Sequence, residues 1–278
     1  MGECIGTVYC LDGRLENCDG FSLHYQEGPG SVYEVIRVMD GIPLFLEDHL
    51  GRLEQSTRIT KTVVPCSLPL IRRSIIRLIE ANRLRNGNVK VVCQHGETGR
   101  QLFVYITPHQ YPGPEQYKNG IPVALFRGAR ELPNAKQINP GLRNEVNRIR
   151  EAEGVHEVLL VDQHSCITEG SRSNVFFIRD GVVLTPPVCD VLPGITRKHV
   201  IECCQTRGIP FREEKIPSDA LPGMEAAFLS GTSRRVLPVN RIDHQKFDAG
   251  HPLLREIQHA FNNLVTVYLL SAKLAEMD

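Results

Sequence analysis

Polar residues punctuate a run of β-branched and aromatic ones through Ser31–Val38 (SVYEVIRV), the make-up of a strand. Asp40-Gly41 follows and Ile42-Pro43-Leu44-Phe45 returns, so the pair reads as a hairpin with a left-handed turn. Leu46, Leu50 and Leu53 then recur at helical spacing and predict a helix to about Thr60. Gly51 interrupts it at a cost of about 1 kcal/mol against alanine, which a close approach by another group would explain. Ser67 opens a second helix with Ile71, Ile75, Leu78 and Ile79 on one face, ended at Asn86-Gly87. Val89–Gln94 and Gln101–Thr107 read as strands around a polar, Gly-rich loop, His95–Arg100. Ahead of these, residues 1–30 read as strand-and-turn material. They hold Thr7-Val8-Tyr9, a turn at Asp12-Gly13, Phe21–Tyr25, and a bend at Gly28-Pro29-Gly30.

His109–Gly120 (HQYPGPEQYKNG) is rich in turn formers and lacks a period, so it reads as a linker. It divides the chain into an N-terminal α/β domain, 1–113, and a second domain, 121–278. The second domain begins with a strand at Ile121–Phe126 and an irregular stretch, Glu131–Pro140. A helix at Leu142–Glu153 and an apolar strand at Val158–Val161 come next. The stretch Ile167–Arg197 then reads as strand, Asp180-Gly181 turn, returning strand, Pro186-Pro187 loop and helix start. A helix to Arg207, a buried strand at Ala226–Ser230 followed by Gly231-Thr232-Ser233, and an amphipathic helix at Leu253–Leu270 close the chain.

Composition narrows the class. Lysines plus arginines equal aspartates plus glutamates, 32 of each, so nothing favours nucleic acid or an anionic membrane as partner. No apolar run has spanning length, and the start carries no basic-then-apolar signal. Met1-Gly2 lacks the Ser or Thr of a myristoylation site at position six. The nine cysteines include no C-x-x-C pair, so they read as reduced, mostly buried thiols of a cytoplasmic protein, with no metal site expected.

Taken singly, the chemical candidates are bland. Lys136, on the irregular entry to a helix, would be a solvated charge, Arg52 a solvated helix arginine and Arg100 a loop arginine. Together they change the reading. A pyridoxal phosphate enzyme needs an amine for the Schiff base, a carboxylate for the pyridine nitrogen, a phosphate cup and a pocket for the substrate carboxylate. Lys136 can be the amine and Glu169 the carboxylate. Arg52 with the turns at Ile195-Thr196 and Gly231-Thr232 can be the cup.

An ordered set of motifs carries a resemblance. It comprises His49-x-x-Arg52-Leu53, Lys136, Thr168-Glu169-Gly170-Ser171-x-x-Asn174-Val175-Phe176, Thr185-Pro186-Pro187, Leu192-x-Gly194-Ile195-Thr196-Arg197 and Ser230-Gly231-Thr232-Ser233. With it the chain resembles the class IV, fold-type IV pyridoxal phosphate enzymes over nearly its whole length. These are the branched-chain aminotransferases, D-amino acid aminotransferases and aminodeoxychorismate lyases. The resemblance implies a two-domain α/β fold, a small α/β sandwich plus a larger pseudo-barrel. It implies pyridoxal 5'-phosphate as cofactor and a homodimer. It gives Lys136 and Glu169 catalytic roles, and the cofactor contacts to Arg52, Lys136, Glu169, Ser171, Asn174, Ile195, Thr196, Gly231 and Thr232.

The activity it implies is amino transfer between a small amino acid, of branched-chain or D type, and a 2-oxo acid. The alternatives are a lyase eliminating pyruvate and a silent cofactor-binding protein. The Tyr-x-Arg that marks branched-chain enzymes is replaced by Lys90-Val91-Val92-Cys93. Gly96-x-x-x-Arg100 looks like the loop that supplies the carboxylate-binding arginine of D-amino acid aminotransferases, and Tyr33 matches their tyrosine. Arg100 and Tyr33 are therefore the expected carboxylate trap, although Leu102 stands where those enzymes carry histidine.

Overall fold

A computed structural model describes residues 3–26, 28–62, 64–96 and 99–275. Met1-Gly2 and, within the Gly-rich loop, Glu97 and Thr98 lie outside the described residues. The chain forms two compact units, and neither is continuous in sequence. One holds Met1–Gln110, Ala135–Asn139 and Val265–Asp278; the other holds Tyr111–Asn134 and Pro140–Leu264. These units differ from the division at 1–113 and 121–278 in where they put Ala135–Asn139 and Val265–Asp278, whose backbone and side-chain bonds are given below. Within the supposed linker, Pro114–Asn119 forms a short helix, because the Gly113 N–H donates to the Gln116 side chain at 2.9 Å.

In the first unit, β1 (Val8–Leu11), β2 (Arg14–Asn17), β3 (Val32–Met39), β4 (Ile42–Pro43), β5 (Gly87–Gly96) and β6 (Gly99–Thr107) make one antiparallel sheet, ordered β2-β1-β6-β5-β3-β4. Phe21–Tyr25, expected among strand-and-turn material, instead contains a single helical turn, α1 (Phe21–His24). Ring packing decides this: Phe21 lies 5.0 Å from Tyr9 and 4.7 Å from Tyr105, centroid to centroid. Helices α2 (Leu46–Ile59) and α3 (Leu68–Ala81) cover one sheet face. Leu46, Leu50, Leu53, Ile71, Ile75 and Leu78 pack there on Val32, Ile36, Val89, Val91, Leu102 and Val104. The other face carries Tyr9, Tyr25, Val92, Phe103 and Tyr105. The expected close approach at Gly51 is absent, since a Cβ there would meet nothing within 4 Å.

Two later segments join this unit. The Ile138 N–H donates to Ser31 O at 2.9 Å and the Tyr33 N–H to Lys136 O at 3.0 Å, so 135–139 runs as an antiparallel neighbour of β3. Tyr268 sets its ring edge-on to Phe45, centroids 4.9 Å apart, and accepts the Leu46 N–H at 3.4 Å.

The second unit contains α4 (Pro114–Asn119), β7 (Ile121–Arg127), α5 (Pro140–Glu153), β8 (Glu157–Val161), β9 (Cys166–Gly170), β10 (Asn174–Arg179), β11 (Val182–Thr185), α6 (Ile195–Arg207), β12 (Phe211–Glu213), β13 (Ile216–Pro217), β14 (Ala226–Gly231), β15 (Arg235–Ile242), β16 (Gln245–Lys246) and most of α7 (Pro252–Ala275). Its sheet runs β12-β11-β10-β14-β15-β7-β8-β9-β13, with β16 against β15. The β7–β8, β15–β7 and β11–β12 pairs are parallel. Val123, Leu159, Val175, Phe177, Ala227, Leu229 and Val239 fill its core.

Of the nine cysteines, Cys10, Cys93, Cys203 and Cys204 are buried, Cys189 is exposed and the rest are half-buried. "Mostly buried" thus holds for fewer than half. Among the described residues no helix is long and apolar enough to cross a membrane.

Candidate active site

In the first unit the candidates gather at the β3 edge. The segment that pairs with β3 delivers Lys136, whose N–H also donates to Ser56 Oγ on α2 at 3.1 Å. With its main chain held on both sides, the Lys136 ammonium lies 4.8 Å from the centroid of the Tyr33 ring. That distance is within cation–π reach.

Arg52 is not the solvated helix arginine that its spacing suggests. It is 6% exposed, and its Nε and Nη2 donate to Glu34 Oε1 at 2.8 Å and Oε2 at 2.7 Å. His49 Nδ1 lies 2.7 Å from the same Oε2. Glu34 sits in the inward row of β3 with Val32, Ile36 and Val38. A carboxylate there needs paired cations, since an unpaired buried charge is costly. Burial alone would raise the Glu34 carboxyl, but the Arg52 guanidinium and the His49 ring outweigh it and hold the group at about 2. Burial pushes His49 down despite Glu34, and Arg52 and Lys136 add to the effect. The imidazole is then neutral, and its Nδ1–H donates to Glu34.

The other candidates belong to the second unit. Glu169 lies near the end of β9 and is 2% exposed. Its Oε1 lies 2.9 Å from Arg130 Nε, and its Oε2 accepts the Leu192 N–H at 3.3 Å. Arg130 also donates to Ser171 O at 2.7 Å. The Asn174 amide donates to Leu192 O at 2.8 Å, tying the loop before α6 to β10. Gly194 permits this approach, because a Cβ there would stand 2.0 Å from Asn174 Oδ1. Helix α6 then starts at Ile195 with no side-chain cap. Its first amides have no intrahelical acceptor, which suits an anion. Ile195 and Thr196 are buried. Gly231 ends β14, with Thr232 half-buried beside it.

Ser171 and Asn174 thus spend side-chain bonds inside the unit. The Ser171 hydroxyl donates to Glu157, which also accepts from Ser173 at 3.1 Å and faces Arg234 at 3.0 Å. Burial would raise the Glu157 carboxyl, but Arg234 and Ser171 bring it below the ordinary range.

The carboxylate pair divides differently. Register places Arg100 opposite His95, two residues from the Cys93–Leu102 pair, whose side chains belong to the helix-covered face. Tyr33 packs on the opposite face, with Val92 and Phe103. Side chains alternate along a strand, so one copy of the sheet does not bring Arg100 to Tyr33. Arg100 is exposed near the hairpin end.

Sequence reading missed Glu34, Arg130 and Glu157. Glu34 and Glu157 left a usable signal, an acid in an otherwise apolar strand row. Among the described residues no group of His, Cys, Asp or Glu could hold a metal ion.

Residues 31–242 match the model of the family described as amino-transferase class IV, and the chain belongs to that family. It is an aminotransferase, and class IV aminotransferases are pyridoxal phosphate enzymes. A D-alanine aminotransferase from Bacillus licheniformis is 29% identical over 255 residues, 87% of this chain and 89% of that protein. The solved branched-chain amino acid aminotransferase of Escherichia coli superposes with a TM-score of 0.84 at 25% identity, covering 94% of this chain and 95% of its own. A branched-chain amino acid aminotransferase from T.th., solved with pyridoxamine 5'-phosphate, shares the fold with a TM-score of 0.85 at 22% identity, over 96% of each chain.

Proposed function

We propose that this chain binds pyridoxal 5'-phosphate and transfers an amino group between a small amino acid, of branched-chain or D type, and a 2-oxo acid. The observation that carries the reading is Lys136, a lysine whose main chain is fixed by Tyr33 and Ser56 while its amine stands over an aromatic ring. The remaining donors suit the same cofactor: a buried carboxylate at Glu169, uncapped first-turn amides at Ile195 and Thr196, and a buried guanidinium at Arg52.

When bound, the cofactor supplies an aldehyde that takes up the amino group and a ring that accepts electrons from the substrate's Cα. Lys136 Nζ, once neutral, would take the proton from the substrate's Cα, hold it as the ammonium and give it back as the amino group changes carrier. Glu169, kept in place by Arg130 and the Leu192 amide, holds a proton at the ring nitrogen. Arg52 and Thr196, with the Ile195, Gly231 and Thr232 main chain, hold the phosphate. Glu34 and His49 fix the Arg52 fork by bonds at both carboxylate oxygens.

A half-reaction screen tests this directly. L- and D-amino acids offered singly should convert the cofactor to its amine form and release a 2-oxo acid. Pyruvate release from aminodeoxychorismate, without half-reactions, would favour the lyase. Bound colour without any turnover would favour the silent protein. Glu169→Gln should keep the cofactor but slow Cα proton removal by about ten- to a thousandfold. Stopped-flow half-reactions at the wild-type rate would remove Glu169 from the chemistry. The family resemblance supports a homodimer in the cytoplasm, and light scattering of the active enzyme should return twice the chain mass.

A further inference from the structure

Lys90 is an unusual residue to find in the middle of a sheet. It lies on β5, is 5% exposed, and pairs across the ladder with Tyr105. Its ammonium stands 5.9, 5.5 and 5.6 Å from the ring centroids of Tyr25, Tyr33 and Tyr105. Three aromatic rings around one ammonium make a box, and a buried charge of this kind also needs an anion.

One such anion reaches it from outside the sheet. It comes from Glu3, in the segment leading into β1, whose Oε1 meets the Lys90 ammonium and also accepts the Tyr105 hydroxyl at 2.6 Å. The segment is held alongside by the Ile5 N–H on Ile106 O at 3.0 Å and by Cys4 Sγ, 2.9 Å from Cys18 Sγ. Burial, with Tyr25 and Glu3, pushes the Tyr105 hydroxyl far up, so it remains a donor. The box therefore presents one ammonium and one hydroxyl to one carboxylate.

Its wall is shared with the reactive amine. Tyr33 has the Lys90 ammonium at 5.5 Å and the Lys136 ammonium at 4.8 Å. The two amines are thus separated by no more than the sum of those distances.

We propose that the Lys90 box is the substrate-carboxylate subsite of this enzyme, and that the Glu3 carboxylate competes for it and is displaced when substrate enters. This gives Tyr33 a different cation from Arg100, which lies on the other sheet face. That the incoming carboxylate belongs to an amino acid rests on the aminotransferase reading. The exchange trades one ion pair for another, and the apparent affinity for substrate is reduced to the fraction of time Glu3 leaves the box open.

Butyrate, a carboxylate with no amine to react, is the probe, and its binding to the purified holoenzyme is measured by calorimetry. Glu3→Gln should tighten it about fivefold or more, because the competitor loses its charge. Lys90→Met should weaken it about ten- to a hundredfold, with Lys90→Arg between. Arg100→Ala should leave it unchanged. Unchanged or weaker binding in Glu3→Gln, wild-type binding in Lys90→Met, or a loss confined to Arg100→Ala overturns the assignment. If circular dichroism shows Lys90→Met unfolded, Glu3→Gln decides alone. Butyrate binding requires no amino transfer, so a failed half-reaction screen and a failed subsite give separate results.

Discussion

Lys136→Ala should abolish amino transfer, lowering the half-reaction rate by at least about ten-thousandfold, since general-base catalysis alone contributes about 10²–10⁴. In the proposed site the same change would also remove the amine that anchors the cofactor's aldehyde. The fold should survive. The bonds that seat this segment on β3 run through the main chain, from Tyr33 N–H to Lys136 O and from Lys136 N–H to Ser56 Oγ, and alanine keeps them. The change removes a half-buried ammonium and with it the contact with the Tyr33 ring. Single-turnover kinetics beside a far-UV spectrum measures both parts. Residual turnover near the wild-type rate in a folded variant would remove Lys136 from the chemistry.

Glu34→Ala should be the most destabilising single change near the site. It leaves the 6%-exposed Arg52 without its bidentate partner, and breaking a buried ion pair from one side costs about 3–5 kcal/mol. Glu34→Gln should cost less, because the amide oxygen still accepts one bond. The pH dependence has a definite sign. The folded Glu34 carboxyl, at about 2, lies below its ordinary 4.5, so the unfolded chain takes up this proton first. Its stabilising contribution is complete above roughly pH 4.5 and is lost as pH falls toward 2. Denaturant melts of wild type and Glu34→Gln should converge across that window. Equal acid sensitivity in both would show that Glu34 is not ionised in the fold.

What the sequence makes legible follows local chemistry. Asp12-Gly13, Asp40-Gly41 and Asp180-Gly181 all have both residues at positive φ, as two-residue hairpin turns demand. The apolar faces of α2 and α3 are readable because helical spacing fixes which side chains share a face. Segment 135–139 is not readable. Ala135 and Ile138 are buried, but only because β3, about a hundred residues earlier, offers an edge; five residues carry no period of their own. Lys90 hides for another reason. Strand β5 is buried on both faces from Gly87 to Gln94, so alternation does not single out the face that meets the aromatic box. Helical spacing puts Arg52 on the right helix and suggests the wrong surroundings. Its partner Glu34 is visible as the acid in SVYEVIRV, and a buried acid calls for a cation. Motif joins Arg100 and Tyr33, while the ladder register separates them by face.

The assignment of Lys136 as the cofactor lysine is tested most directly by reducing the purified protein with borohydride and mapping the modified peptide by mass spectrometry. The protein should be yellow before reduction, and the label should fall on Lys136. A label on the boxed Lys90, on Lys118 or on Lys198, or a colourless protein that takes up no label, would contradict the account.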